Sequence, residues 1–169
     1  MLTLRIASRT DVPAILALLA DDEISQARAV QQPVPEPAYR AEEPGRRTVS
    51  ESADAAHWAA FEAVDADPRN ELIVADDAGE VVGTFQLTFT PSLSRGGAER
   101  MTIEAVRVRT DRRGQGLGRQ MMRWALDRGR ERGCRLAQLT TDKRRVDAHR
   151  FYESLGFTAS HEGMKLSLF

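Results

Sequence analysis

Arg109, Arg112, Arg113 and Arg119 bracket Gly114, Gly116 and Gly118 in the stretch VRTDRRGQGLGRQMM, residues 108–122. A strand-like run precedes this bend and a helix-like run follows it. That order makes an anion site for three physical reasons. Glycine has no Cβ, so the backbone can approach a ligand closely. The first amides of the following helix have no internal partner. The helix dipole adds positive potential at the same end. Arg113 and Arg119 contribute full charges, and the chemistry that suits the bend is the holding of a pyrophosphate.

Three phosphate-binding patterns compete for these residues. A Walker loop requires a lysine after its last glycine, and none stands here. A dinucleotide fingerprint would want Ala or Gly where Met121 stands, and it opens a long series of βαβ units for which too little chain remains. The pattern Arg/Gln-x-x-Gly-x-Gly/Ala after a strand is met in full by Arg113, Gly114, Gln115, Gly116, Leu117 and Gly118.

The elements that must position this bend follow from periodicity. Leu2–Ser8 alternates as a first strand, and Thr10–Ala20 reads as a helix with Pro13 in its first turn. Gln31–Arg47, within a proline-rich segment 31–48, reads as a loop. Ser50–Pro68 reads as a second helix capped by Ser50 or Ser52 and stopped by Pro68. Leu72–Ala75 and the run Val81, Gly83, Phe85, Leu87, Phe89 predict a hairpin. Met101–Thr110 predicts a strand with Glu104, Val106 and Val108 on one face and Ile103, Ala105, Arg107 and Arg109 on the other. Leu117–Arg132 predicts a third helix ended by Gly133, RLAQLTT a further strand, and Arg145–Leu155 a last helix stopped by Gly156. The tail GFTASHEGMKLSLF predicts one or two closing strands. This order implies a mixed α/β sheet flanked by helices, in one domain over residues 1–169.

The bend, the strand IEAVRVRTDRRGQGLG running into it, and the helix AHRFYESLGF together resemble the GNAT superfamily of acetyl-CoA-dependent N-acetyltransferases. The resemblance implies a mostly antiparallel sheet of six or seven strands with about four helices, and a V-shaped splay between the fourth and fifth strands. It implies acetyl-CoA as cosubstrate and direct transfer of the acetyl group to a primary amine. Val106, Arg107 and Val108 would line the acetyl-pantetheine arm, and Arg113 through Arg119 would hold the pyrophosphate. Glu104 would act as base, directly or through a water, and Tyr152 as the acid that protonates the leaving thiolate. Phe151 and Asp147 would flank the arm, Asp147 standing where the family often has an asparagine. The stretch TTDKRRVDAHRFYESLGF is similar to aminoalkylphosphonate acetyltransferases, which points to a small, acidic amine. The 31–48 segment would lie near the acceptor. A non-catalytic acyl-CoA sensor and a protein- or tRNA-directed acetyltransferase stay open as alternatives.

Composition narrows the partners. The net charge is −1, with 41% apolar and 29% charged residues. A near-neutral chain speaks against a nucleic-acid partner, even though residues 107–150 hold most of the arginines. No apolar run approaches the length of a membrane span, and MLTLRIASRT does not read as a signal peptide. Cys134 is the lone cysteine, which suits a reducing compartment and a cytoplasmic location. It reads as a packed thiol. His57, His149 and His161 have no metal-ligand spacing, so no metal is expected. Many proteins of this kind are homodimers, and the sequence leaves the oligomeric state open.

Overall fold

A computed structural model describes residues 1–21, 53–166 and Leu168. Its elements are β1 (Leu2–Ile6), α1 (Val12–Ala20), α2 (Ala55–Ala66), β2 (Asn70–Asp77), β3 (Glu80–Thr90), β4 (Arg100–Val108), α3 (Leu117–Glu131), β5 (Leu136–Leu139) and α4 (Val146–Glu153). The strands form one sheet in the order β1-β2-β3-β4-β5. All neighbours are antiparallel except β4 and β5, which run parallel. Parallel neighbours need a crossover, and α3 supplies it.

Phe85, Leu87 and Phe89 of β3, Met101 and Ile103 of β4, and Leu117, Met121, Met122 and Ala125 of α3 form the main core. Burying side chains of this size contributes about 2 kcal/mol each. Two glycines let α3 settle onto the sheet. A Cβ at Gly83 would lie 2.8 Å from the Met121 sulfur, and one at Gly129 would lie 2.9 Å from the Met101 methyl. On the opposite side of the sheet, Ala7, Ile15 and Val74 pack with Leu19, Phe61 and Leu72, under α1 and α2.

Partly buried ion pairs tie elements together. Arg128, late in α3, grips the buried Glu71 at the start of β2 with Nε at 2.9 Å and Nη2 at 2.7 Å. Arg5 of β1 donates to both oxygens of Asp11 at 2.7 and 2.9 Å and to Asp76 at 2.8 Å. This fixes the turn before α1 against the β1–β2 edge. With Ser8 also donating to it, the Asp11 carboxyl is held down to about 2.

Several expectations change. Among the described residues the sheet has five strands, not six or seven. Residues 158–166 form no strand, and Met164 and Leu166 stand 96% and 86% exposed. Apolar alternation alone does not make a strand where the side chains find no apolar surface to cover. The cap of α2 is Asp54, whose carboxylate accepts from the His57 amide at 3.0 Å. Ser50, Ser52 and the 31–48 segment lie outside the described residues. In β3 a register irregularity opposite Ala75 and Asp76 sends Val81 to the α1–α2 side and Val82 into the main core. Among the described residues, no helix is long and apolar enough to cross a membrane.

Candidate active site

The glycine bend stands at the junction of β4 and α3. Gly114 and Gly116 take φ of +74° and +81°, the left-handed region that a side chain disfavours. Gly116 is the N-cap of α3 and offers no side chain to the helix. The first bond of the helical ladder runs from the Gln120 amide to the Gly116 carbonyl at 3.1 Å, so the amides of Leu117, Gly118 and Arg119 precede it. Gly118 is already helical and lies against the Phe151 ring, where a Cβ would sit at an ordinary 3.5 Å from Phe151 Cζ. The turn is braced from within, where Gln115 Nε2 donates to the Asp111 carbonyl at 2.8 Å.

The arginines around the bend are not equivalent. Arg109 is held by Asp111 at 2.6 Å and Glu80 at 3.2 Å, and Arg112 by Asp77 at 3.0 Å. Arg113 donates to the Val108 carbonyl at 3.0 Å and to Asp21 at 3.2 Å, while Asp21 also accepts from Thr110 at 2.5 Å. The end of α1 is thereby fastened to the bend. Arg119 differs, because its guanidinium meets the hydroxyl of Ser154 at 2.8 Å and, among the described residues, no carboxylate. Its charge is the least neutralised of these and stands in the first turn of α3. Asp21 carried no signal in the sequence, since its partners are some ninety residues away.

β4 changes character halfway along. Its pairing with β5 covers Arg100–Ile103 and stops there, so Glu104 through Val108 leave the β5 side open. Ala105 sits at φ +52° in an irregularity of the β3–β4 ladder, where Phe85 faces both Ala105 and Val106. This bulge reverses the alternation. Val106 and Val108 therefore join Met101 and Ile103 on the α3 side, whereas Glu104 stands on the opposite side with Thr102. The expectation that Glu104 shares a face with Val106 is corrected by that extra residue. Arg107 Nη1 donates to the Val106 carbonyl at 2.9 Å.

Tyr152 lies half-buried in α4, edge-on to Phe151 at 5.1 Å and to Phe157 at 5.9 Å. Burial raises its phenol above the ordinary value, against an opposing pull from the charges of Arg107 and Arg145. It therefore keeps its proton at neutral pH. Asp147 is fully exposed in the first turn of α4 and pairs with Arg150 at 3.6 Å. Cys134 is a thiol raised by burial, which makes it a poor nucleophile. His57 serves the α2 cap, and His149 Nε2 meets the Asp142 carbonyl at 3.1 Å.

Sequence reasoning missed a polar band around Glu104. Asn70 Oδ1 accepts from Gln86 at 3.1 Å and Thr88 at 3.0 Å, and the Thr88 hydroxyl also lies 3.4 Å from Glu104 Oε2. On the other flank, Gln138 of β5 donates to the Thr102 hydroxyl at 3.1 Å. These groups cross β2, β3, β4 and β5 on the side of the sheet away from α3. The signal was available: Gln86 and Thr88 alternate with Phe85, Leu87 and Phe89, so the second face of β3 is polar.

Comparison with known proteins fits this geometry. An aminoalkylphosphonate N-acetyltransferase of Salmonella typhimurium is 37% identical over 95 residues, which cover 56% of this chain and 61% of that protein. A glucosamine 6-phosphate N-acetyltransferase of Trypanosoma brucei brucei is 34% identical over 90 residues, 53% of this chain and 59% of that protein. The chain thus spans about three fifths of the length of these relatives. The crystal structure of a transcriptional regulator of Bacillus halodurans C-125 superposes with a TM-score of 0.84 at 42% identity, covering 99% of this chain and 100% of that one. The family model described as the acetyltransferase (GNAT) family matches residues 35–157. With its glycine bend closing a half-open β4, the chain belongs to the acetyltransferase (GNAT) family.

Proposed function

We propose that this protein moves an acetyl group from acetyl-CoA directly to the primary amine of a small molecule. The observation that carries this reading is continuity: the length of β4 left open on its β5 side leads, through the turn at Thr110–Arg112, into the amides of the glycine bend. A phosphate-bearing arm can lie along one and end on the other. Both relatives named above act, by name, on small amines bearing a phosphonate or phosphate.

In this reading the backbone of Gly114 through Arg119, Gln115 and Leu117 included, holds the diphosphate, and the Arg119 guanidinium adds charge. Arg113 shapes the bend through the Val108 carbonyl. Backbone groups of Val106, Arg107 and Val108 orient the arm, with the Val106 amide polarising the carbonyl under attack. Phe151 packs beside the arm and Asp147 lies at its rim. Acetyl-CoA supplies the thioester. Glu104 takes a proton from the acceptor amine through a water. Nitrogen bonds to the carbonyl carbon, the carbon–sulfur bond breaks, and the sulfur takes the Tyr152 proton. An ordinary phenol near 10 lies above a thiol near 8.5, and burial raises Tyr152 further, so the proton moves late, as the carbon–sulfur bond breaks. The shared sheet favours one domain over residues 1–169, and the single thiol fits a cytoplasmic enzyme.

The test combines binding and turnover. Acetyl-CoA at 100 times its Kd should stabilise the protein by about 2.7 kcal/mol. An amine panel with a free-thiol readout should show turnover that Glu104→Gln lowers by about 100-fold or more. No thermal shift at millimolar acetyl-CoA would refute the reading. A sensor would show the shift but release no thiol with any amine.

A further inference from the structure

We propose that Arg100 reads an anionic group on the acceptor amine, so that the substrate is a small amino-phosphonate, amino-phosphate or amino-carboxylate. This rests on the transferase reading above and adds a residue for substrate choice. Arg100, Thr102 and Glu104 occupy alternate positions of β4 and so share one face. That face is settled by their neighbours: Met101 and Ile103 pack into the α3 core, while Thr102 and Glu104 engage Gln138 and Thr88 on the other side. Four residues of strand separate Arg100 from Glu104, about 13 Å between Cα atoms. Two long side chains can close that gap around one small molecule.

Arg100 is half-buried, and its Nε is enclosed without a hydrogen-bond partner. Among the described residues no carboxylate pairs with it. Arg107 Nε is enclosed in the same way, but its Nη1 donates to the Val106 carbonyl, while Arg5 is matched by Asp11 and Asp76, Arg128 by Glu71 and Arg132 by Glu99. Enclosing a charged donor without an acceptor disfavours the folded state, so its presence needs an explanation. A planar fork of donors is suited to a phosphonate, phosphate or carboxylate. The floor between the two ends is hydroxyl and amide, from Thr102, Thr88 and Gln138, which hydrogen-bonds a polar linker without adding charge. One carboxylate for the amine and one cation for the anion give the acceptor a direction.

The experiment measures binding of 2-aminoethylphosphonate and of the uncharged-tail amine 3-aminopropan-1-ol to the full chain, with and without CoA, by calorimetry. Wild type should bind the phosphonate at least tenfold more tightly than the alcohol. Arg100→Gln should erase that advantage, a loss of about 10- to 100-fold on the phosphonate. Arg100→Lys should keep part of it. CoA affinity and melting temperature read on the same samples show whether the variants are folded. Equal binding of both amines by wild type, or an advantage that survives in Arg100→Gln, overturns the proposal. Loss of CoA binding by wild type would instead overturn the transferase reading, and the arm without CoA still judges Arg100.

Discussion

Gly116→Ala and Gly118→Ala should behave oppositely, although the two residues stand two positions apart in the same motif. At Gly116 φ is +81° and ψ −1°, with nothing within 4 Å of an added Cβ. The penalty is therefore backbone strain alone, about 1–2 kcal/mol for an L-residue held left-handed. If the bend keeps its shape, the loss appears as stability. If it relaxes, the amides of α3 turn away and acetyl-CoA affinity falls by about 5- to 30-fold for the same free energy. At Gly118 an added Cβ meets Phe151 Cζ at 3.5 Å and Val108 Cγ2 at 3.9 Å, both ordinary contacts. Alanine there gains helix propensity of about 0.5–1 kcal/mol. Its melting temperature should hold or rise, with acetyl-CoA affinity within a few-fold of wild type. Thermal unfolding and calorimetric titration with acetyl-CoA on the three proteins check this. The reasoning is refuted if Gly116→Ala loses neither stability nor affinity, or if Gly118→Ala loses acetyl-CoA binding.

Tyr152→Phe should lower kcat by about 100-fold with acetyl-CoA binding retained, because only the phenolic proton is removed from a packed ring. Since burial raises the Tyr152 phenol, the acid form is lost only as pH rises past its ordinary value near 10; a kcat that declines with a midpoint near 8 would assign the acid elsewhere. Asp11 governs acid stability: its folded value of about 2 lies below the ordinary 3.8, so its contribution is complete above about pH 4 and disappears as pH falls through 2. That gap corresponds to about 2 kcal/mol. Denaturant unfolding from pH 2 to 6 should show Asp11→Asn less stable at pH 6 by about that amount and flatter toward acid.

Much of the fold was legible because it is local. Strand, glycine bend and amphipathic helix are encoded within residues 100–131, and the helix boundaries at Gly133 and Gly156 follow from left-handed positions that glycine takes readily, φ +80° and +92°. The glycine bend was legible for the same reason, since its shape and the free amides at the start of α3 depend on neighbouring residues only. The closing strands were not, because a strand needs a partner edge and a surface to cover, and the alternation at Met164 and Leu166 supplies neither.

The side on which a β4 residue stands was decided by tertiary structure. One bulge at Ala105, opposite Phe85, reverses every later side chain and parts Glu104 from Val106. The bulge reflects pairing with β3 and the early end of the β5 ladder, neither of which is written into β4 itself. Likewise the sequence determined that arginines crowd the bend, but only the folded chain allotted them carboxylates, taking Arg109, Arg112 and Arg113 into ion pairs and leaving Arg119 to a hydroxyl. Residue type and spacing carry the chemistry available to a short segment. Which of those groups meet, and which charge is left over for a ligand, depends on contacts between residues far apart in the chain.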